Sequence, residues 1–348
     1  MNISVIIVLL LLCLYGISSL IFRKDKHKRD KCFMILAFLM LLAVLSFREP
    51  YLDMVESLQH FHYFSKGFET FGTTRFPPLY QLLSISIGQI WKNDRFFIFI
   101  TDIIILLGPY LFIRRYSKNK LLSMLLFIAI GTFSMQFFIT RQSLAISMTL
   151  ISIIFALERK PLKFLLFALA ATMFHSSAII FLPVYLLPKL KIDKATLSII
   201  LIGFFVAFFF GNQLATLLMG IDPYYSKYIG TAYDISGEGY WNLIMYTTLL
   251  LFSIFVKQIS TYTKQDKFFL FSLLTCIFIH ILATSSTMFV RVASYFWFAG
   301  YILPINTLET SPKLRQIKPY IEFAIIITTI LFIAFLKPIN GYSIISLN

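Results

Sequence analysis

Residues 3–31 read ISVIIVLLLLCLYGISSLIF followed directly by RKDKHKRDK, a long uncharged run and then a dense basic cluster. The uncharged part is long enough to cross the roughly 30 Å hydrocarbon core of a bilayer as an α-helix. The same alternation of an apolar run and a short basic cluster recurs along the whole chain. It predicts an all-α protein that crosses a membrane many times, because helices satisfy their own backbone groups within lipid.

The composition of the 348 residues fits this class. Hydrophobic residues make up 58% and charged residues 14%, and the mean hydropathy is +0.81. So few charges could not cover the surface of a soluble domain. The net charge of +15 would also fit a nucleic-acid-binding protein, but the basic residues lie in short clusters between apolar runs. That pattern is typical of cytoplasmic loops in membrane proteins, so we expect no nucleic-acid partner.

Six basic clusters decide the predicted topology. They hold about 22 of the 31 Lys and Arg residues, and we expect all six to face the cytoplasm. The clusters are residues 23–31, 114–120, 159–163, 189–194, 257–267 and 313–318. Every segment between two clusters must then leave the cytoplasm and return. This requirement predicts a single transmembrane domain over residues 1–348, with about twelve helices (range roughly 10–13).

Three segments depart from simple spans. Residues 48–95 are predicted to be an external segment, in which residues 76–91 open with Pro77-Pro78 and form an interfacial helix. The apolar stretch Lys163–Leu187 has basic clusters at both ends. Two short helices that meet near His175 would keep both clusters inside, and we predict such a re-entrant or broken helix pair. Residues 220–240 are predicted to be a polar external loop.

Isolated arginines, an imidazole and several acids converge on the predicted outer side. A charge at a span end costs several kcal/mol unless it is paired, and Arg is suited to bidentate phosphate binding. The arginines are Arg48, Arg75, Arg95, Arg141 and Arg291, the imidazole is His175, and the acids are Glu49, Asp53, Glu56, Asp234 and Glu238. The simpler explanations are snorkelling or interfacial anchoring of the arginines and ordinary packing of the histidine.

We expect neither a metal nor another cofactor. His60 and His62 are two residues apart, which places them on different faces of a helix, and no other spacing is typical of a metal site. Cys13, Cys32 and Cys276 lie in apolar segments without paired spacing. Arginines alone can neutralise a diphosphate leaving group. A sugar hydroxyl then needs only alignment and a base such as His175 or Asp53, so the pattern permits a glycosyl transfer at the membrane.

Four stretches resemble the EpsG-like branch of Wzy-type polysaccharide polymerases. They are 46-SFR-48 with Tyr51 and Asp53 after it, 140-TRQSLA-145, 174-FHSSA-178 and 291-RVASYF-296. Their order and the number of predicted spans also match, so the resemblance covers most of the chain. Family members often have a Gly near the first acidic residue after the outer arginine, where this chain has 49-EPYLD-53.

The resemblance implies a GT-C-like enzyme of the bacterial cytoplasmic membrane with its active site facing the periplasm or exterior. Such a glycosyltransferase joins undecaprenyl-diphosphate-linked oligosaccharides, which are both donor and acceptor. Membrane lipids and a chain-length regulator protein are the other expected partners. The implied residues are Arg48, Arg75, Arg141 and Arg291 for diphosphate binding, His175 and Asp53 for catalysis, and Tyr51 and Glu238 for sugar binding.

Other readings stay open at this point. An O-antigen ligase would share the logic of the site. A transporter or flippase for the lipid-linked unit would need charges near the middle of its helices, where Asp102 is the clearest case. A membrane acyltransferase would need its histidine on the cytoplasmic side. The sequence also leaves open whether the product belongs to a lipopolysaccharide O-antigen or to an exopolysaccharide.

Overall fold

The structure is a computed structural model that describes residues 3–221, 226, 229–231 and 239–335. Within these ranges the regular secondary structure is entirely helical, which confirms the predicted all-α class. Four 3-10 helices cover Phe68–Thr70, Ser176–Lys189, Ile259–Thr261 and Ser294–Phe296. The α-helices are α1 Ile3–Ile21, α2 Lys26–Ser46, α3 Asp53–Phe64, α4 Pro78–Ile90, α5 Asp94–Tyr116, α6 Lys120–Ala129, α7 Thr132–Met135, α8 Thr140–Leu157, α9 Pro161–Phe174, α10 Lys194–Phe209, α11 Gly211–Ile221, α12 Gly239–Val256, α13 Lys264–Ala283, α14 Met288–Ala293, α15 Phe298–Thr310 and α16 Lys318–Phe335.

Six helices of the described ranges are long and apolar enough to cross a bilayer, namely α1, α5, α8, α12, α13 and α16. Two bent pairs raise the number to eight if each is one span. These are α10 with α11, bent by 89°, and residues 288–296 with α15, bent by 40°. The protein is therefore polytopic, and the residues that the structure describes contain six to eight candidate spans, which does not support the predicted number of about twelve.

The difference in span number has local causes. The predicted span at residues 121–139 is divided between α6 and α7 by Gly131, whose φ of 91° lies in the left-handed region. Helix α2 begins with a charged turn, and the apolar helices α6, α9 and Ser176–Lys189 have only 10–17 residues. Around His175 the chain is helical on both sides, but a re-entrant path also requires a direction through the membrane and stays a prediction.

The chain divides into two compact units, residues 1–182 with 316–348 and residues 183–315. In the first unit α5 packs against α2 and α8, while α8 and α9 form a hairpin and α16 packs against α1 and α6. In the second unit α13 packs against α10, α12 and α15. The prediction of a single transmembrane domain stays a prediction.

Helices α5 and α8 pack closely at Gly108. A Cβ added there would lie 2.5 Å from the carbonyl oxygen of Ser147, so the packing excludes any larger residue. The Gly108 N–H donates to the Ser147 hydroxyl at 2.9 Å, and that hydroxyl donates to the Ile104 carbonyl at 2.5 Å. The serine thus bridges the helix backbone directly before Pro109, which lacks an N–H of its own.

The external segment predicted at residues 48–95 contains α3 and α4. Helix α4 begins at Pro78, where proline costs no intrahelical hydrogen bond. Leu52 precedes α3 with φ 50° and ψ −130°, a conformation that normally requires glycine. Leu52 lies within 49-EPYLD-53, the stretch near which family members often have a glycine.

A buried ion pair joins α2 to α5. Arg48 is 1% exposed and Asp102 is fully buried, and the Arg48 Nη1 donates to Asp102 Oδ2 at 2.7 Å. The Arg48 Nε donates to the carbonyl of Phe137 at 2.8 Å, and Nη1 also donates to the carbonyl of Leu45. The guanidinium therefore connects the end of α2, the N-terminal half of α5 and the turn after α7.

We expect Asp102→Ala to destabilise the first unit by about 3–5 kcal/mol, because it leaves a buried guanidinium without its counter-charge. Equilibrium unfolding in a lipid or detergent environment measures the loss. Ser46→Ala is the control, since Ser46 lies 3.5 Å from the same carboxylate and carries no charge. The double variant Arg48→Met/Asp102→Leu should recover most of the stability. Equal effects of Asp102→Ala and Ser46→Ala would contradict the role given to the pair.

Candidate functional site

Arg141 lies in the first turn of α8 and rests on aromatic rings. Its Cζ is 4.5 Å from the centroid of Phe76 and 5.9 Å from that of Tyr80, distances typical of cation–π contacts. Its side chain is 21% exposed. Its Nη2 lies 3.7 Å from Glu56 Oε1, which is longer than a hydrogen bond. The guanidinium is thus positioned by the rings and only loosely neutralised.

Glu56 faces an imidazole as well as the guanidinium. It lies one turn before His60 on α3, and its Oε1 is 3.3 Å from His60 Nε2. The His60 ring packs on Phe76 with 3.9 Å between the ring centroids. We call Glu56, His60, Phe76, Tyr80 and Arg141 the Arg141 cluster. It brings together α3, α8, α4 and the residue Phe76 two positions before α4.

Burial shapes the protonation of this cluster. It lowers the pKa of His60 below its usual 6.5, and the charge of Arg141 acts in the same direction against the opposing effect of Glu56. Burial also raises the pKa of Tyr80 to about 12, and the Tyr80 hydroxyl donates to the Ser57 carbonyl at 3.0 Å. Near neutral pH the imidazole is therefore neutral. If Nε2–H donates to Glu56, the Nδ1 lone pair is left as an acceptor.

The titration of His60 tests this arrangement. We expect its midpoint to lie below 6.5, to fall further in Glu56→Gln, which removes the carboxylate that favours the proton, and to rise in Arg141→Gln. Histidine-selective NMR of the protein in lipid nanodiscs measures the midpoint, with His60→Gln to assign the signal. His62→Gln serves as the control and should leave the signal in place. A midpoint above 6.5 in the unaltered protein would contradict the burial of the ring.

Three predicted residues lie in the sequence around this cluster. Arg75 directly precedes Phe76; it is exposed and makes no hydrogen bond or ion pair with another described residue. Asp53 is the first residue of α3, three before Glu56 and so on the same side of that helix. Tyr51 is 49% exposed just before α3. The exposed guanidinium of Arg75 is therefore accessible to a ligand.

His175 lies between α9, which ends at Phe174, and the 3-10 helix that begins at Ser176. Its Nδ1 is 2.8 Å from the Ser177 hydroxyl, and its side chain is partly exposed. Helices α8 and α9 are joined by three residues and pack together, so they run antiparallel. The 14 residues of α9 rise about 21 Å, which returns the chain to the level of the first turns of α8. His175 and Arg141 therefore lie at the same end of this hairpin.

Three further predicted residues are Arg48, Arg291 and Glu238. Arg48 is buried and paired with Asp102, a geometry that gives it a structural role, and its predicted binding of diphosphate stays a prediction. Arg291 is partly buried on α14 in the second unit, where its carbonyl accepts a hydrogen bond from Ser294 at 2.6 Å. Glu238 lies outside the described residues. The predicted roles of Arg291 and Glu238 stay predictions.

Sequence reasoning named Glu56 only among the outer acids, without a specific role, and set His60 aside after comparing it with His62. The useful signal was the spacing from Glu56 to His60, because residues four apart share a helix face. The packing of Phe76 and Tyr80 beneath Arg141 depends on tertiary contacts and had no sequence signal. Within the described ranges no three His, Cys, Asp or Glu residues are grouped so as to hold a metal ion.

A helical chain with six to eight candidate spans and a cluster of arginine, histidine and carboxylate defines a polytopic membrane protein with a candidate anion site. The model of the EpsG family matches residues 31–347. Because the match covers most of the chain, the protein belongs to the EpsG family. Searches of curated proteins and of solved structures gave no match. The resemblance carried by the four sequence stretches is thereby confirmed at the level of the family.

Proposed function

We propose that the protein is a polysaccharide polymerase, a glycosyltransferase that joins undecaprenyl-diphosphate-linked repeat units at the outer face of the bacterial cytoplasmic membrane. Membership of the EpsG family supports a polymerase-like function in polysaccharide synthesis. The single observation that carries the proposal is the Arg141 cluster, which holds a loosely paired guanidinium beside an imidazole and a carboxylate.

In this proposal Arg141 binds the diphosphate of the donor. The rings of Phe76 and Tyr80 fix its direction, and the 3.7 Å separation from Glu56 leaves its hydrogen-bond donors open to stronger acceptors. Arg75 adds a second guanidinium from the loop that carries Phe76. Two positive charges stabilise the diphosphate as it departs with the bonding electrons of the sugar–oxygen bond. Arg48 acts by stabilising the fold, and Arg291 stays a diphosphate ligand proposed from the sequence alone.

The acceptor hydroxyl must lose a proton as its oxygen attacks the anomeric carbon. His175 and Asp53 are the bases proposed from the sequence, and the structure adds His60, whose imidazole is neutral and next to Arg141. A carboxylate that accepts from one ring nitrogen strengthens the other as a base. Tyr51 and Glu238 are proposed to hold the acceptor sugar.

Reconstitution with a lipid-diphosphate repeat unit tests the proposal. The unaltered protein should produce a ladder of polymers on a gel. Arg141→Ala should lower the rate by about 10²–10³, the usual effect of losing a preorganised electrostatic group. Arg114→Ala is the matched control, because Arg114 is exposed at the far end of α5. A single transferred chain without a ladder would indicate a ligase, and a normal ladder from Arg141→Ala would remove Arg141 from the site.

Single histidine variants identify the base. Removal of a general base should cost about 10²–10⁴ in rate and abolish the fall in rate on acidification. Rate–pH profiles of His60→Ala and His175→Ala therefore separate the two imidazoles, because only the variant lacking the base loses its acidic limb. His62→Ala is the control on the same helix as His60. Unchanged profiles in both variants would leave Asp53 as the candidate.

A further inference from the structure

A groove lies between α2 and α5 in the first unit. Its volume is about 560 Å³, within the range of ligand pockets. Leu39, Ala43 and Ser46 line one wall, and their spacing places them on a single stripe of α2. Phe47 and Phe99 complete the apolar lining. The groove is open to the surroundings of the helices, since Leu39 is 54%, Phe47 57% and Phe99 42% exposed.

One end of the groove carries a guanidinium. Arg95 lines it from the first turn of α5, and its side chain is 38% exposed. Its Nη1 donates to the Arg48 carbonyl at 2.6 Å, and its Nη2 lies 3.5 Å from Glu49. Since an arginine has five N–H donors, these two contacts leave three of them for a ligand. The N-terminal position on α5 adds the partial positive charge of the helix end.

The groove has a charged group at one end and apolar walls along its length, which matches the headgroup and tail of a single lipid molecule. Its walls run from Ser46 beside Arg95 down to Leu39, a rise of about 10 Å along α2. An apolar chain would fill this length, while a phosphate at the top would meet Arg95. Helix α5 is one of the candidate spans, and α2 is apolar after its charged first turn, so the tail of a lipid would enter the groove from the bilayer without crossing water.

We propose that this groove is the membrane entry site of the lipid-linked substrate, with Arg95 on the diphosphate and the first isoprenoid units of the tail between α2 and α5. The identity of the lipid rests on the proposed function. The path of the protein chain favours the lipid-linked substrate over an ordinary phospholipid. From Arg48, at the Arg95 end of the groove, the protein chain continues directly to Tyr51 and α3. A headgroup held by Arg95 therefore lies at the base of the segment that bears Glu56 and His60.

Binding of undecaprenyl diphosphate to the full-length protein in phosphatidylcholine nanodiscs tests the site, with native mass spectrometry as the readout. Arg95→Gln should weaken binding about tenfold or more, as expected for a lost charge-assisted hydrogen bond. Ala43→Trp should do the same by filling the groove, and it leaves the Arg95–Arg48 contact intact. Glu49→Gln should strengthen binding by up to about fivefold, because it removes a competing carboxylate. Arg114→Gln is the matched control on the same helix.

Each result has one meaning. Weaker binding in both Arg95→Gln and Ala43→Trp, with unchanged melting temperatures and no displacement by excess phosphatidylglycerol, supports the site. Unaltered binding in Ala43→Trp, or displacement by phosphatidylglycerol at equal concentration, overturns it. If the unaltered protein binds the probe and makes a ladder, and the Arg95→Gln and Ala43→Trp variants bind the probe equally well, the groove proposal fails while the polymerase proposal stands. If the variants weaken binding but the unaltered protein makes no ladder, the groove stands and the polymerase proposal fails.

Discussion

The ion pair between Arg48 and Asp102 is the constraint on which the first unit depends. A charge within apolar surroundings is tolerated only beside its counter-charge, and each of these side chains is almost completely buried. The pairing fixes the end of α2 against α5 and holds the turn at Phe137. The carbonyl of Arg48 meanwhile receives the Arg95 guanidinium. One residue therefore connects the interior of the helix bundle with the mouth of the α2–α5 groove.

Hydropathy and charge predicted the all-helical membrane class but overestimated the number of simple spans. An apolar run shows that a segment prefers lipid, whereas its direction depends on backbone angles and on neighbouring helices. Residues 121–139 carry no charged residue and are mostly apolar, yet Gly131 divides them. The 89° bend between α10 and α11 likewise has no counterpart in mean hydropathy. Short helices that pack inside a bundle need not match the bilayer thickness that the span count assumed.

The candidate site was partly visible in the sequence. Lone arginines pointed to Arg141 and Arg75, and the structure places Arg141 over the aromatic rings of Phe76 and Tyr80. The partner of Arg48 could not be found in this way, because Asp102 is 54 residues away and the contact depends on how α2 and α5 are aligned. Glu56 and His60 were within reach of sequence reasoning, since their spacing alone puts them on one helix face.

The positive φ of Leu52 lies at a corner of the chain whose side chains are apolar and exposed. A non-glycine residue in such a conformation costs about 1–3 kcal/mol, and the leucine side chain is 54% exposed beside the equally exposed Phe47 and Tyr51. Where these three side chains enter an interface, burial of the exposed half of the leucine gains about 1 kcal/mol, which compensates for the lower end of the backbone strain. Lipid would then help to set the shape of this corner, and in plain water the same corner would relax.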